Sequence, residues 1–182
     1  MVLDDLVREI RDLVNEPANQ NRLIVDKNRW YRLCSSLDVL GDTELAVQCY
    51  QATRDSALPS GALYLLTYGL FQALQLQQDA VRHLQQALDV PGTPATKHRV
   101  LQEIRKVRND AAGHPIGSTR NGTSFFHFIS RPSLTSTGFT LLSLAEESTS
   151  EVRYVDTESL IAEQEKEMRA VLSAIAAQLK AG

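Results

Sequence analysis

A mainly helical bundle with a small antiparallel β insert before its last helix is the fold class that this sequence predicts. Three observations carry that expectation. Apolar residues recur at helical spacing from the start of the chain to about Ala112, and again beyond Thr157. Over about 124–156 the pattern changes to short runs of Phe, Ile, Leu, Val and Tyr, separated by links rich in Gly, Pro, Ser and Thr. With 182 residues, 43% hydrophobic and 23% charged, the chain reads as one globular domain over 1–182 with a core of its own.

Element by element, Leu3, Leu6, Val7, Ile10, Leu13 and Val14 make residues 2–15 an amphipathic helix, and Pro17 to Asn21 a polar connection. Trp30, Leu33, Cys34 and Leu37 mark a second helix that stops at Gly41. Asp42 or Thr43 is placed to cap the next, which carries Leu45, Ala46, Cys49 and Tyr50 and ends before Pro59. Ser60 to Leu88 is the least polar helix, stopped by Pro91 and Gly92. Thr93 then caps a helix with Pro94 at its first position, running to about Ala112. Three strands follow, at Ser124–Ser130, Gly138–Leu144 and Glu151–Asp156. Thr157 is the expected cap of a last helix with Leu160, Ile161, Gln164, Met168, Val171, Leu172, Ile175 and Leu179 on one face.

An internal echo runs through the first half. Trp30, Ala46 and Tyr50 recur as Tyr64, Ala80 and Leu84, at the tetratricopeptide spacing. "WYRLCSSLDVLGDTELAVQCYQA" resembles one such repeat, but Gln75 stands where the second copy needs its turn glycine. Two units cannot make a solenoid, so the echo reads as helical hairpins over 29–90.

Composition narrows the function classes. Charged residues among the first twenty exclude a secretory hydrophobic segment, and the uncharged stretch from Ser56 to Gln78 reads as a core helix, not a membrane span. The cytoplasm is the expected location. Net charge is −3, with a pI near 5.8, which argues against bulk binding of nucleic acid. A local basic face stands out nonetheless: Lys97, Arg99, Arg105, Lys106 and Arg108 are opposed only by Glu103. Cys34 and Cys49 lack CxxC spacing and fall on apolar faces, so buried free thiols are expected. The sequence carries no Walker loop, dinucleotide fingerprint, zinc motif or nucleophile elbow, and implies no cofactor and no metal.

The chemistry-bearing stretch is "VRNDAAGHP", Val107 to Pro115, at the end of that basic helix. Histidine suits proton transfer near neutral pH, and arginine presents a planar donor fork that matches phosphate oxygens. Asn109 can orient either partner. Gly113 can enter the left-handed conformation that ends a helix, and Pro115 disfavours helix at His114, so the histidine can fold back toward the last turn. The rival reading is a helix stop, with His114 bonded to the last carbonyls and Arg108 solvated or paired with Glu103. A second Arg–His match, "RNGTSFFH" from Arg120 to His127, crosses a turn and a strand and lacks that setting.

"RNDAAGHP" at the end of a bundle helix resembles the HEPN superfamily, whose catalytic members carry Arg, a polar residue, and His after four to six intervening positions. Arg108, Asn109 and His114 match, and the likeness extends over about 60–115 and the last helix. The strands after His114 are not part of the basic family bundle. The resemblance implies a compact helical bundle, a homodimer that brings two motifs into one cleft, and a metal-independent endoribonuclease of the toxin–antitoxin or antiphage kind. His114 would move the proton, Arg108 hold the phosphate, Asn109 orient, and Arg105 and Lys106 steer the RNA backbone; a protein partner such as an antitoxin is also implied. Other members of the family only bind RNA, nucleotides or proteins. The alternative expectation is therefore a non-catalytic binding module using the helical hairpins of 29–90.

Lesser candidates are Gln77, Gln78 and Asp79, which sit in the most apolar helix and either form a specificity-setting polar network, face the basic helix across a dimer, or lie on a surface stripe. His83 and His98 lack partners at ligand spacing, and His127 shares a strand face with Phe125 and Ile129. Arg120 and Arg131 flank the first strand.

Overall fold

Leu3, Leu6, Val7, Ile10, Leu13 and Val14, the apolar stripe of the first helix, are all buried. The computed structural model describes residues 3–54, 56–90, 98–113, 118–120, 123–145 and 150–181. Among them the order is α1 (Leu3–Asn15), α2 (Pro17–Leu23), α3 (Lys27–Ala52), α4 (Ser60–Leu88), α5 (Arg99–Arg108), strands β1 (Ser118–Arg120), β2 (Thr123–Ile129), β3 (Gly138–Ala145) and β4 (Glu151–Asp156), then α6 (Thr157–Ala181). The fold is mainly helical, with an antiparallel sheet inserted before the last helix. The stop and cap expected at Pro91, Gly92, Thr93 and Pro94 lie outside the described residues, as does His114.

The helical half departs from expectation in two places. Pro17 to Asn21 is not a connection but most of α2, with Pro17 in its first turn, where the missing N–H costs nothing. Its Asn19 is buried and donates to the Leu13 carbonyl at 2.9 Å, which ties α2 to the end of α1. Nor does α3 stop at Gly41. It runs unbroken for 26 residues, and Asp26 caps it by accepting from the backbone N–H groups of Asn28 and Arg29. Neither Asp42 nor Thr43 caps a helix there: the Thr43 hydroxyl donates back to the Val39 carbonyl at 2.6 Å. A glycine inside a helix costs about 1 kcal/mol. One continuous buried face, Leu33, Leu37, Leu40, Val47 and Tyr50, offsets it. The internal echo is a helical hairpin, as expected, but without that break it is one long hairpin of α3 and α4. It is antiparallel, since Arg29 meets Ala87 and Asp89 while Glu44 meets Gln77.

The sheet has four strands in sequential order, one more than expected, because β1 pairs with β2. Its inner face carries Phe139, Leu141 and Val155 onto α4, α5 and α6, with Phe139 edge-on to Phe71 at 6.0 Å. A side chain at Gly138 would meet the Val155 carbonyl at 2.4 Å, so only glycine lets β3 begin that close to β4. The cap of α6 is Asp156, not Thr157: its carboxylate accepts from the N–H groups of Glu158 and Ser159. Thr157 is fully buried and bonds the Tyr50 hydroxyl at 3.0 Å instead. The two cysteines also differ from expectation, Cys34 being half-buried and Cys49 exposed, both free.

The core divides into two apolar clusters. One joins α1, α2 and the first half of α3 to the distal halves of α4 and α6. The other lies under the sheet, among the end of α3, the first half of α4, α5 and Ile161. Between them sits a buried polar layer, Glu44, Gln77, Gln78 and Gln164.

Candidate functional site

The polar layer leads to the basic helix. Gln164 donates to the Leu74 carbonyl at 3.0 Å and to Gln77 Oε1 at 2.9 Å, and accepts from Gln78 at 2.8 Å. Gln77 reaches Glu44 at 3.3 Å. Burial holds the Glu44 carboxyl above the usual carboxylate range, an effect that bonds from Gln48 and Gln77 reduce. At the other end Arg105 donates to Gln78 Oε1 and to Asp79 Oδ1, each at 2.7 Å. The expected network of Gln77, Gln78 and Asp79 thus exists, and it meets the basic helix within one chain.

One turn on, α5 ends at Arg108 and passes into a π-helical turn, Asn109–Gly113. Such turns add a residue to the helical repeat and re-aim the side chains beyond them. Half-buried Arg108 donates through Nε and Nη2 to Gln72 Oε1, at 3.3 and 2.9 Å, and through Nη1 to Asn109 Oδ1 at 3.1 Å. Both partners are neutral amide oxygens. Among the described residues no carboxylate stands within ion-pair distance of Arg108, because Glu103, its expected partner, pairs with Arg153 of β4.

Gly113 does not take the left-handed conformation expected of it. Its role is room. A Cβ there would lie 2.7 Å from Arg108 Nη1 and 3.5 Å from Asn109 Oδ1, so the glycine lets the guanidinium close over the turn.

Beneath this turn lies Asp110, 1% exposed. Lys106 approaches its Oδ2 at 3.3 Å, the i,i+4 pairing of a helix. His127 Nε2 stands 3.5 Å from Oδ1, and the other ring nitrogen of His127 bonds Ser143 Oγ at 2.9 Å across the β2–β3 pair. The imidazole stacks on Phe125, ring centroids 6.4 Å apart. Asp110 therefore pins the turn to the sheet.

Of the residues expected at the site, the structure brings Arg108, Asn109 and Lys106 together at one helix end. Arg105 is turned away, toward Asp79, and His114 lies outside the described residues. Sequence reasoning passed over Gln72, Asp110 and Ser143. The Lys106–Asp110 spacing was readable as a helical ion pair. Gln72 lies 36 residues from Arg108, and no local signal points to it. Among the described residues no group of three His, Cys, Asp or Glu could hold a metal ion. None of the described helices is long and apolar enough to cross a membrane. A hollow of about 470 Å³ opens beside Arg22, Arg29 and Asp89, at the C-terminal end of α4, and no residue of the motif is among those that line it. Comparison with known proteins finds no matching family model, no matching curated protein and no matching solved structure.

Proposed function

We propose that this protein is a HEPN-type endoribonuclease that works as a homodimer and needs no metal, in the toxin or defence setting common to that superfamily. One observation carries the reading: Arg108 is held in a fixed orientation by neutral acceptors, Gln72 and Asn109, which leave its charge free for an anion. A guanidinium so placed can take two phosphate oxygens at once and stabilise charge that builds on them. Lys106, at the same helix end, is paired with the buried Asp110 and holds the turn beneath Arg108. Arg105 supports the helix from behind through Gln78 and Asp79.

The chemistry follows from those roles. His114, assigned from the sequence motif, accepts the proton of the ribose 2′-hydroxyl. The 2′-oxygen attacks phosphorus, the bond to the 5′-oxygen breaks, and the leaving oxygen takes a proton from water, which His114 replaces with the one it accepted. The products are a cyclic phosphate and a free 5′-hydroxyl. The test is incubation of total RNA, in excess chelator, with wild type, Arg108→Ala and His114→Ala. Cleavage by wild type alone, leaving cyclic-phosphate ends, supports the assignment; cleavage that survives both substitutions refutes it.

A second reading has one observation of its own. Leu65 is 74% exposed on α4, with Tyr68 and Leu76 exposed on the same face, the kind of stripe by which a helical hairpin holds another protein. A partner lost from Leu65→Asp and kept by Arg108→Ala favours it.

A further inference from the structure

The outer face of the sheet is the largest apolar surface that the described residues leave open. Outward positions of β2, β3 and β4 carry Phe126, Phe128, Leu142, Leu144, Val152 and Tyr154. They are contiguous: Phe126 pairs with Leu144, Phe128 with Leu142, and Leu142 with Val152. Exposure is 40% for Phe126, 51% for Phe128, 43% for Leu144, 68% for Val152 and 60% for Tyr154. With aromatic side chains of about 150–250 Å² and aliphatic ones somewhat smaller, these five present roughly 500 Å² of mainly apolar surface. A half-solvated sheet ordinarily alternates apolar-in with polar-out, and this one does not.

We infer that this face is where two copies of the chain pair, sheet against sheet, about a two-fold axis. Area supports the second copy as occupant. A standard interface buries about 800 Å² per partner. Homodimer interfaces are about 65% apolar, so each copy must offer on the order of 500 Å² of apolar surface. The stripe on α4 is smaller, at roughly 300 Å² from Leu65, Tyr68 and Leu76.

Charge supports it as well. Among the described outward positions of β2, β3 and β4 only Asp156 is charged, and its carboxylate is bonded to the first turn of α6. A face whose single carboxylate is already bonded within its own chain meets its image with little like-charge repulsion, as an isologous contact requires. The same lack of Lys and Arg disfavours RNA, which needs cations beside its stacking aromatics.

The inference rests on the proposed function only for the homodimer, not for its chemistry, and its geometry departs from the shared cleft that the resemblance implies. The inner face of the sheet touches Asp110 through His127, so the outer face points away from the motif. Sheet-to-sheet pairing leaves the two Arg108 ends apart, each site built by a single chain.

Sedimentation equilibrium across the micromolar range tests this without any RNA, on wild type, Val152→Lys, Phe128→Lys and Leu65→Asp, each checked for helical circular dichroism. A wild-type dimer is expected, weakened at least tenfold by either lysine and unchanged by Leu65→Asp. If a lysine variant loses its helical signal, Val152→Ser replaces it, with a smaller weakening expected. A monomeric wild type overturns the inference, as does a dimer that tolerates the sheet variants and dissociates with Leu65→Asp. Single-stranded RNA that binds wild type and is lost from the sheet variants also overturns it, and gives the face to nucleic acid.

Discussion

Arg105 and Arg108 lie three residues apart on one helix, and each donates to a glutamine amide of α4, yet they do opposite work. Arg105 also meets Asp79, and its Gln78 contact closes a buried layer that reaches Gln164 and Glu44. Its charge is neutralised and its role is structural. Among the described residues Arg108 meets only amide oxygens, at the solvent edge, where it is oriented without being neutralised. A guanidinium's identity as a site therefore lies in its partner's charge, since the donor geometry of the two is nearly the same.

That contrast orders the expected effects. Gln164→Ala should cost the most, about 3 kcal/mol, because it leaves a cavity and strips partners from buried Gln77 and Gln78 together. Chemical denaturation checks it, and for a chain of this size the melting temperature should fall by roughly 6–12 °C. Arg105→Ala should cost about 1–2 kcal/mol by orphaning Gln78 Oε1 and leaving Asp79 only its contact with Arg82. Arg108→Ala should cost less than about 1 kcal/mol, since its partners can turn to water. Equal losses for the two arginines would show that the charge of the partner does not divide their roles.

Two carboxylates sharpen it through pH. Bonds from the Ser159 backbone first, then from its hydroxyl and Glu158, hold the Asp156 carboxyl below its ordinary value of 3.8. A depressed folded pKa means stability that is present above the ordinary value and lost as pH falls through the folded one. Asp156→Ala should thus cost about 1 kcal/mol at neutral pH, with the gap to wild type closing under strong acid. Glu44 runs the other way. Burial raises its pKa, so the penalty of its charge grows as pH rises from about 4.5 and is complete above the folded value. Wild type should gain stability relative to Glu44→Gln on acidification from neutral pH toward that range, by less than the Asp156 effect. Paired urea titrations at several pH values read both.

Much of this was legible along the chain. The helical stripes of α1, α4 and α6 and the short apolar runs of β2 to β4 between turn-rich links are local patterns, and the elements lie where those patterns put them. Gly41 misled because a glycine's local cost is outweighed by a buried face that continues on both sides of it. Pro17 misled because α2 buries little besides Asn19 and Leu23, too few for a pattern. The cap of α6 moved by one residue because Thr157 is claimed by Tyr50, a contact 107 residues away in sequence. At the site, Arg108 and Asn109 are neighbours and could be paired by reading. What sets them apart from Arg105, the choice of Gln72 against Asp79, depends on how α4 faces α5, and no local spacing encodes that.

The most direct test of the difference between the arginines is a salt titration of binding to a short 2′-O-methyl RNA, which lacks the attacking hydroxyl and reports binding alone. Arg108→Ala should weaken binding about tenfold or more and lower the salt slope by about one, while folded Arg105→Ala binds like wild type. Equal affinity and slope for wild type and Arg108→Ala would contradict it.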